Sequence, residues 1–297
     1  MEEPQILTFD TSAINGLADD DCSDALLAGL RAGVHTRFTF TTISEIASTK
    51  DAGRRRRLLR VCRLLLASGD CIDPQGHLLT KMIGAFEQLR PFDWSAVRVD
   101  FPEAQNEIAR NENIEDNLAD QEREEARASE RQFRSIYDNA KPAFDRLFRE
   151  RTEKRPANVA ELVLRLQIPG GAFWAFAANI YSRVGKQSAD EERMRRFIEQ
   201  CDPFRALMIA ICAAQYDRWI RPQKLGPTLK SGRNDTFMAV CLPYCHRFIT
   251  NDPGQLNCFR EVATIAGLHV TVEPYDRFRE GLLIANSTIG CQARASS

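Results

Sequence analysis

The feature that most constrains this chain is a pair of short apolar runs, each of which ends abruptly at polar, acidic residues. The first run, Gln5–Phe9, stops at Asp10, and the second, Arg247–Thr250, stops at Asn251 and Asp252. Short apolar runs bounded by polar residues are typical of strands buried on both faces, as in a parallel sheet. Because the runs lie near opposite ends of the chain, both ends are expected to contribute strands to one sheet.

Helix and strand signals alternate around both runs. The predicted strands are residues 5–9, 36–41, 71–73, 247–250 and 268–272. The predicted helices are a segment after Asp10, residues 24–32 with Ser23 as cap, a segment starting at residue 42 or 44, and residues 51–67, 235–242 and 256–266. Strands that alternate with helices in this way favour a doubly wound α/β domain.

The middle of the chain has a different texture. Residues 103–153 are polar and helix-friendly, with an acidic first half and a basic second half. Further helices are predicted at residues 157–166, 173–184, 189–201 and 203–219. We therefore expect an α/β domain made of residues 1–100 and 226–297, interrupted by an all-α insertion at residues 101–225.

Composition narrows the functional classes. The net charge of the 297 residues is -1, so a nucleic-acid partner would have to be held by a local patch. The start of the chain has acids where a signal peptide carries bases, and no apolar stretch is long enough to span a bilayer. Nine scattered cysteines without a CxxC pair indicate reduced thiols. The expectation is a cytoplasmic protein without a membrane partner.

Four acids fall where predicted strands end or predicted helices begin: Asp10, Glu45, Asp235 and Asp252. Ligands of an open parallel sheet bind beyond the carboxyl ends of its strands. Clustered carboxylates repel each other unless a cation is present, and Mg²⁺ or Mn²⁺ prefers oxygen ligands. The pattern predicts a divalent-metal site. Helix capping by Asp10, and a favourable helix dipole for Glu45 in a first turn, are the alternatives.

The segments around these acids resemble the four acidic motifs of PIN-domain proteins. The segments are LTFDTSAI, TTISEIA, RNDTFMAV and RFITNDPGQL. The resemblance covers residues 5–70 and 228–275 and rests on the order of the motifs, their strand-end positions and the Asp–Thr–Ser and Thr–x–Asp companions. It implies a Rossmann-like three-layer fold and metal-dependent hydrolysis of phosphodiester bonds, usually in RNA.

The resemblance also implies roles for individual residues. The acids that match the family's quartet are Asp10, Glu45, Asp235 and Asp252, and the supporting hydroxyl positions match Ser12 and Thr250. Many small PIN proteins are toxins restrained by a protein partner, whereas others process or degrade RNA. This chain is longer than that toxin type, so an inhibitory or regulatory protein partner is an expectation from the family alone.

Three basic residues are candidate contacts for a substrate phosphate. Lys230 and Arg233 precede Asp235 on an approach rich in glycine and proline, and Arg54 begins a run of four arginines. A guanidinium group pairs bidentately with phosphate. The alternative for each is ordinary solvated charge on a loop or a helix surface.

The leading hypothesis is a metal-dependent endonuclease that cleaves RNA. A structure-specific DNA nuclease is the second, although no helix–hairpin–helix or arch motif is evident in the sequence. The third is a non-catalytic scaffold whose helical insertion binds a protein. Homo-oligomerisation is left open by the sequence.

Overall fold

The computed structural model describes residues 4–92, 98–115, 118–128, 130–131, 135, 155–220 and 233–284. Its strands are β1 (Gln5–Phe9), β2 (Val34–Thr39), β3 (Gly69–Ile72), β4 (Arg98–Val99), β5 (Arg247–Thr250) and β6 (Thr271–Pro274). They form one six-stranded sheet in the order β4-β3-β2-β1-β5-β6. Only the β3–β4 pairing is antiparallel. The predicted α/β class with a mainly parallel central sheet is confirmed.

Helices precede and follow nearly every strand. They are α1 (Thr11–Asp19), α2 (Ser23–Gly33), α3 (Phe40–Ala47), α4 (Ala52–Leu66), α5 (Gln75–Glu87), α6 (Phe101–Glu112), α7 (Val159–Leu166), α8 (Ala172–Gly185), α9 (Glu191–Gln200), α10 (Asp202–Trp219), α11 (Arg233–Phe237) and α12 (Pro253–Ala266). A 3₁₀ helix, Met238–Tyr244, continues α11, and residues 118–128 and 275–284 are also helical. Within the described ranges, no helix combines the length and apolar character needed to cross a membrane.

The strand order reverses at the centre of the sheet. From β1 the chain adds β2 and β3 on one side, and it later adds β5 and β6 on the other. The strands β1 and β5 remain paired to their ends, where the Asp10 backbone N–H donates to Ile249 O at 3.3 Å. Such a reversal opens a crevice at the carboxyl ends of the two central strands, because the flanking helices leave on opposite faces.

Each face of the sheet is covered by its own apolar core. On one face, Leu7 and Phe9 pack with residues of α1, α2 and α4. On the other face, Phe248 packs with residues of α5, α10 and α12. Successive strand residues point to opposite faces, so Phe248 and its neighbour Ile249 belong to different cores. The result is three layers with the sheet in the middle.

Four helices within the predicted insertion, α7 to α10, contribute to one of these cores, whereas Ala104 and Ile108 of α6 belong to the other. Buried side chains of α7, α8, α9 and α10 belong to the same apolar cluster as Phe248 of β5. These helices therefore pack as part of one layer together with α12. The polar segment contributes α6 and the helical residues 118–128, whereas most of its basic half lies outside the described residues. The boundaries of the insertion at residues 101 and 225 stay a prediction.

Several local predictions differ from the structure. The strand β2 begins two residues earlier than predicted, and β6 begins three residues later. Ser23 is the first helical residue of α2 rather than its cap, and the preceding residue makes no side-chain capping bond. The helix α3 begins at Phe40, because Thr39 caps it by accepting a hydrogen bond from Thr42 N at 3.2 Å. This earlier start places Glu45 in the second turn rather than the first. The helix α5 and the short strand β4 have no counterpart among the predicted elements.

Candidate active site

A cavity of about 220 Å³ lies at the carboxyl ends of β1, β2 and β5, beside the point where the strand order reverses. All four predicted acids line it, and they come from four different places in the fold. Asp10 follows β1, Glu45 lies in α3, Asp235 lies in α11 and Asp252 follows β5. All the other residues that line it carry hydroxyl or amide groups, except for Met238. The cavity is therefore a polar, oxygen-rich chamber.

Asp10 is the most enclosed of the four acids, with 6% of its surface exposed. It caps α1, and its Oδ1 accepts a hydrogen bond from Ala13 N at 2.7 Å. Its Oδ2 accepts hydrogen bonds from Ser12 Oγ and from Thr250 Oγ1, both at 2.8 Å. The two hydroxyl residues predicted to support the acids thus both contact Asp10, and Thr250 does so across the β1–β5 boundary. Their functional roles stay a prediction.

The charged form of Asp10 is disfavoured by its surroundings. Burial raises the pKa of Asp10 to about 7, even though the hydrogen bonds from Ala13, Thr250 and Ser12 act in the opposite direction. The nearby charge of Asp235 raises this pKa further, so the two carboxylates are close enough to repel each other. Within the described part of the chain, no arginine, lysine or histidine forms an ion pair with Asp10. A bound cation would offset both effects.

Glu45 is held by a hydroxyl group from the neighbouring helix. Thr11 Oγ1 donates a hydrogen bond to Glu45 Oε2 and so links α1 to α3 at the cavity wall. One turn further along α1, Asn15 Nδ2 donates to Thr11 O at 2.7 Å, and Asn15 also lines the cavity. The half-buried glutamate therefore reaches the cavity from the second turn of α3 with a restricted orientation.

Asp252 combines a capping role with exposure to the cavity. Its Oδ1 accepts a hydrogen bond from Gln255 N at 2.7 Å, which caps α12. Its own backbone N–H donates to Thr250 Oγ1 at 3.0 Å. Among the described residues, none donates a hydrogen bond to Asp252 Oδ2. One carboxylate oxygen therefore stabilises the helix, and the other remains available to a ligand in the cavity.

The donor set suits a hard divalent cation, although the side chains are not gathered around one point. In the part of the chain that the structure describes, no group of three or more His, Cys, Asp or Glu side chains is arranged to hold a metal ion. The oxygen donors of the cavity are nevertheless those that Mg²⁺ and Mn²⁺ prefer. The raised pKa of buried Asp10 is the kind of penalty that such an ion removes.

Of the three basic residues predicted to contact phosphate, the structure describes the side chain of Arg54 but not those of Arg233 and Lys230. Arg54 Nη2 donates to Asn15 Oδ1 at 3.0 Å and to Asp19 Oδ2 at 2.7 Å. Because Asn15 lines the cavity, this guanidinium group lies next to the cavity rim. Arg233 begins α11, but its side chain and the whole of Lys230 lie outside the described residues. Their predicted contacts with phosphate stay predictions.

The sequence-based reasoning missed six polar residues of the cavity: Thr11, Asn15, Thr39, Thr41, Thr42 and Gln255. Local signals for Thr11, Asn15 and Gln255 were present. Thr11 directly follows Asp10, and Asn15 lies four residues later on the same helix face. Gln255 occupies the third helical position after the cap Asp252, where a glutamine is typical of a capping box. In the structure its side chain bonds to Thr250 instead.

No protein-family model matches the sequence, and comparisons with curated proteins and with solved structures give no match. The likeness to PIN-domain proteins therefore rests on the four motifs alone. The functional proposal rests on the cavity.

Proposed function

We propose that the chain is a metal-dependent endonuclease that hydrolyses phosphodiester bonds, with RNA as its substrate and Mg²⁺ or Mn²⁺ as its cofactor. The observation that carries the proposal is the convergence of four carboxylates, from four separate elements, on one cavity at the reversal of the sheet. Asp10, the most buried of the four, forms no ion pair with an arginine, lysine or histidine of the described ranges. A structural ion-pair network would contain arginine or lysine, whereas a metal site leaves that charge to be supplied by the ion.

The residues of the cavity divide into two groups. Asp10, Asp235 and Asp252 would hold the cation, directly or through water. When bound, the cation would supply positive charge beside the scissile phosphate and lower the pKa of nearby water. Glu45, whose carboxylate is fixed by Thr11, would accept a hydrogen bond from the attacking water and orient it. Cation binding and water orientation would thus be divided among carboxylates that line one cavity.

The lining also bears on the substrate. No aromatic side chain is among the described residues that line the cavity, so it has no platform on which a base would stack. Hydroxyl and amide groups such as those of Thr41 and Asn15 suit the sugar–phosphate backbone instead. They can also bond to a ribose 2′-hydroxyl, which supports RNA as the substrate. We expect cleavage within single strands, with little dependence on the base.

The proposal includes a cytoplasmic location. Seven of the eight described cysteines are buried, and no disulfide joins any two described cysteines, which agrees with a reducing compartment. A regulatory or inhibitory protein partner, implied by the family resemblance, stays a prediction.

The decisive experiment compares cleavage of single-stranded RNA, single-stranded DNA and branched DNA by the purified protein with Mn²⁺ and with EDTA. Asp10→Asn is expected to lower Mn²⁺-dependent RNA cleavage by about 100-fold or more, since loss of a ligand should exceed the usual effect of losing its supporting groups. Asp190→Asn is the matched control. Asp190 caps α9 through Arg193 N at 2.8 Å, as Asp10 caps α1, but it lies outside the cavity.

Equal cleavage by the wild-type protein and Asp10→Asn would point to a contaminating nuclease and would sink the proposal. Cleavage of branched DNA in preference to RNA would retain the metal site but replace the substrate. Activity that persists in EDTA would remove the cation from the proposal.

A further inference from the structure

Gln255 is a buried amide in the cavity wall, and one end of this amide is unsatisfied. Its residue is 1% exposed and lines the cavity beside Asp252. Its Oε1 lies 2.9 Å from Thr250 Oγ1, whereas its Nε2 has no hydrogen-bond partner among the described residues. Buried polar groups nearly always have a partner, so the unpartnered amide end of a residue in the cavity wall points to a ligand.

The hydroxyl group of Thr250 cannot serve both of its acceptors. It carries one proton, and two acceptors lie within reach: Asp10 Oδ2 at 2.8 Å and Gln255 Oε1 at 2.9 Å. A carboxylate that binds a cation carries no proton, and a charged acceptor makes the stronger bond. The proton of Thr250 therefore belongs to Asp10 in the working site. The amide oxygen would then face lone pairs on the hydroxyl oxygen.

The opposite orientation of the amide removes this conflict. The two ends of a glutamine amide are similar in size and are distinguished by the hydrogen bonds that they make. Rotation of the amide by a half turn lets Gln255 Nε2 donate to Thr250 Oγ1, which donates in turn to Asp10 Oδ2. The chain of donors is then complete, and Oε1 takes the place of the unpartnered Nε2 in a residue of the cavity wall. At that place Nε2 has no acceptor among the described residues, and the acids nearby have no protons to offer to Oε1 when they are ionised.

We propose that Gln255 is a neutral oxygen ligand of the divalent cation held in this cavity. The inference rests on the proposed function, because it takes the cation from there. A neutral ligand adds an oxygen to the donor set without adding a fifth negative charge to the acids Asp10, Glu45, Asp235 and Asp252. Through Thr250 the same side chain orients Asp10, so one amide both binds the ion and positions another ligand.

The experiment measures Mn²⁺ binding to the full chain by isothermal titration calorimetry, together with the thermal midpoint in EDTA. Gln255→Leu is expected to lower Mn²⁺ affinity by about 10- to 100-fold. Its midpoint in EDTA should match wild type, since an apolar replacement leaves no buried amide end unpartnered. Gln255→Glu keeps an oxygen at the same place and should retain the affinity.

Gln75→Leu is the matched control. Gln75 is also a buried glutamine, and it bonds to Thr41 and Met238 beside the cavity without lining it. Its replacement should leave Mn²⁺ affinity unchanged. Should Gln255→Leu fail to fold, Gln255→Met removes the same oxygen with an unbranched side chain and carries the same expectation.

Unchanged affinity in Gln255→Leu would overturn the inference and leave the nuclease proposal standing. An equal loss in Gln255→Glu and Gln255→Leu would show that the amide acts only through its N–H on Thr250, which also overturns the ligand role. A wild-type protein that binds no Mn²⁺ would overturn both the inference and the proposed metal site, so the two failures are distinguishable.

Discussion

Asp70 in β3 and Asp10, directly after β1, are both buried aspartates, with 7% and 6% of their surfaces exposed, but their surroundings are opposite. Asp70 in β3 accepts hydrogen bonds from Arg37 Nε at 2.7 Å and from His35 Nε2 at 2.8 Å, and Arg98 Nε lies 3.2 Å away. Although burial opposes it, the hydrogen bonds from His35 and Arg37 lower the pKa of Asp70 to about 2. Burial raises the pKa of Asp10 to about 7.

The difference teaches that burial alone does not decide what a carboxylate does. The negative charge of Asp70 is balanced by basic side chains of the adjacent strands. Its ion pair with Arg37 is therefore a structural one. Asp10 receives only hydroxyl and backbone donors, so among the described residues its negative charge has no counterpart. One site has its cation built into the fold, and the other is suited to receive one from solution.

The largest expected effect tests the structural side of this comparison. Asp70→Asn should destabilise the protein by about 3–5 kcal/mol, because it leaves the 1%-exposed Arg37 without its counter-charge. Asp10→Asn removes a buried charge that has no cationic partner in the described chain, so at pH 8 in EDTA it should be at least as stable as wild type. Urea unfolding measures both. A larger loss in Asp10→Asn than in Asp70→Asn would reverse the assignment of the two sites.

The pH dependence of stability should carry the signature of Asp10. Between the ordinary pKa of 3.8 and about 7, folded Asp10 keeps a proton that the unfolded chain releases, so stability falls as the pH rises. The slope is at most about 1.4 kcal/mol per pH unit. Asp70 has the opposite effect on stability, because its pKa is lowered by folding. Its stabilising contribution is lost only on acidification from pH 3.8 to about 2.

Unfolding midpoints of the metal-free protein from pH 5 to pH 8 therefore isolate Asp10. In Asp10→Asn the stability should not fall as the pH rises from 5 to 8. In wild type, saturating Mn²⁺ should abolish this fall in stability. A decline that is the same in both proteins would assign the effect to another group.

A smaller effect is expected when one donor to Asp10 is removed. Thr250→Val keeps the shape of the side chain but removes a hydrogen bond that lowers the pKa of Asp10. We expect the free energy of unfolding to fall by about 1 kcal/mol. We also expect its pH-dependent decrease to end at a higher pH than in wild type. An unchanged pH profile would mean that this hydroxyl group does not stabilise the charged form of Asp10.

The smallest effect on stability is expected at the cavity rim. Arg54→Ala breaks an exposed pair with Asp19, so stability should change by less than about 0.5 kcal/mol. If Arg54 contacts phosphate, the KM for RNA should rise several-fold with a weaker dependence on salt, and kcat should stay the same. Arg63→Ala is the control on the same helix, since the Arg63 side chain is about as exposed and pairs with Glu112, which does not line the cavity. Equal kinetics for both variants would remove Arg54 from the substrate path.

Features encoded in adjacent residues were predictable from the sequence. The strands β1 and β5 begin and end where the apolar runs predict, because an apolar run that stops at a polar residue is a local signal. The capping function of Asp10 and Asp252 follows for the same reason. The α/β class came from the alternation of such signals. The start of α3 was missed because Thr39, at the end of a strand, also serves as a cap.

What the sequence alone determined was which acids lie near the ends of strands and the starts of helices, and from them came the proposal of a divalent-metal site. Tertiary structure decided the state of each acid. Whether a buried aspartate faces an arginine, as Asp70 does, or a threonine 240 residues away, as Asp10 does, depends on which strands pair and in what register. A pKa is set by burial and by neighbours in space, and neither is encoded by adjacent residues.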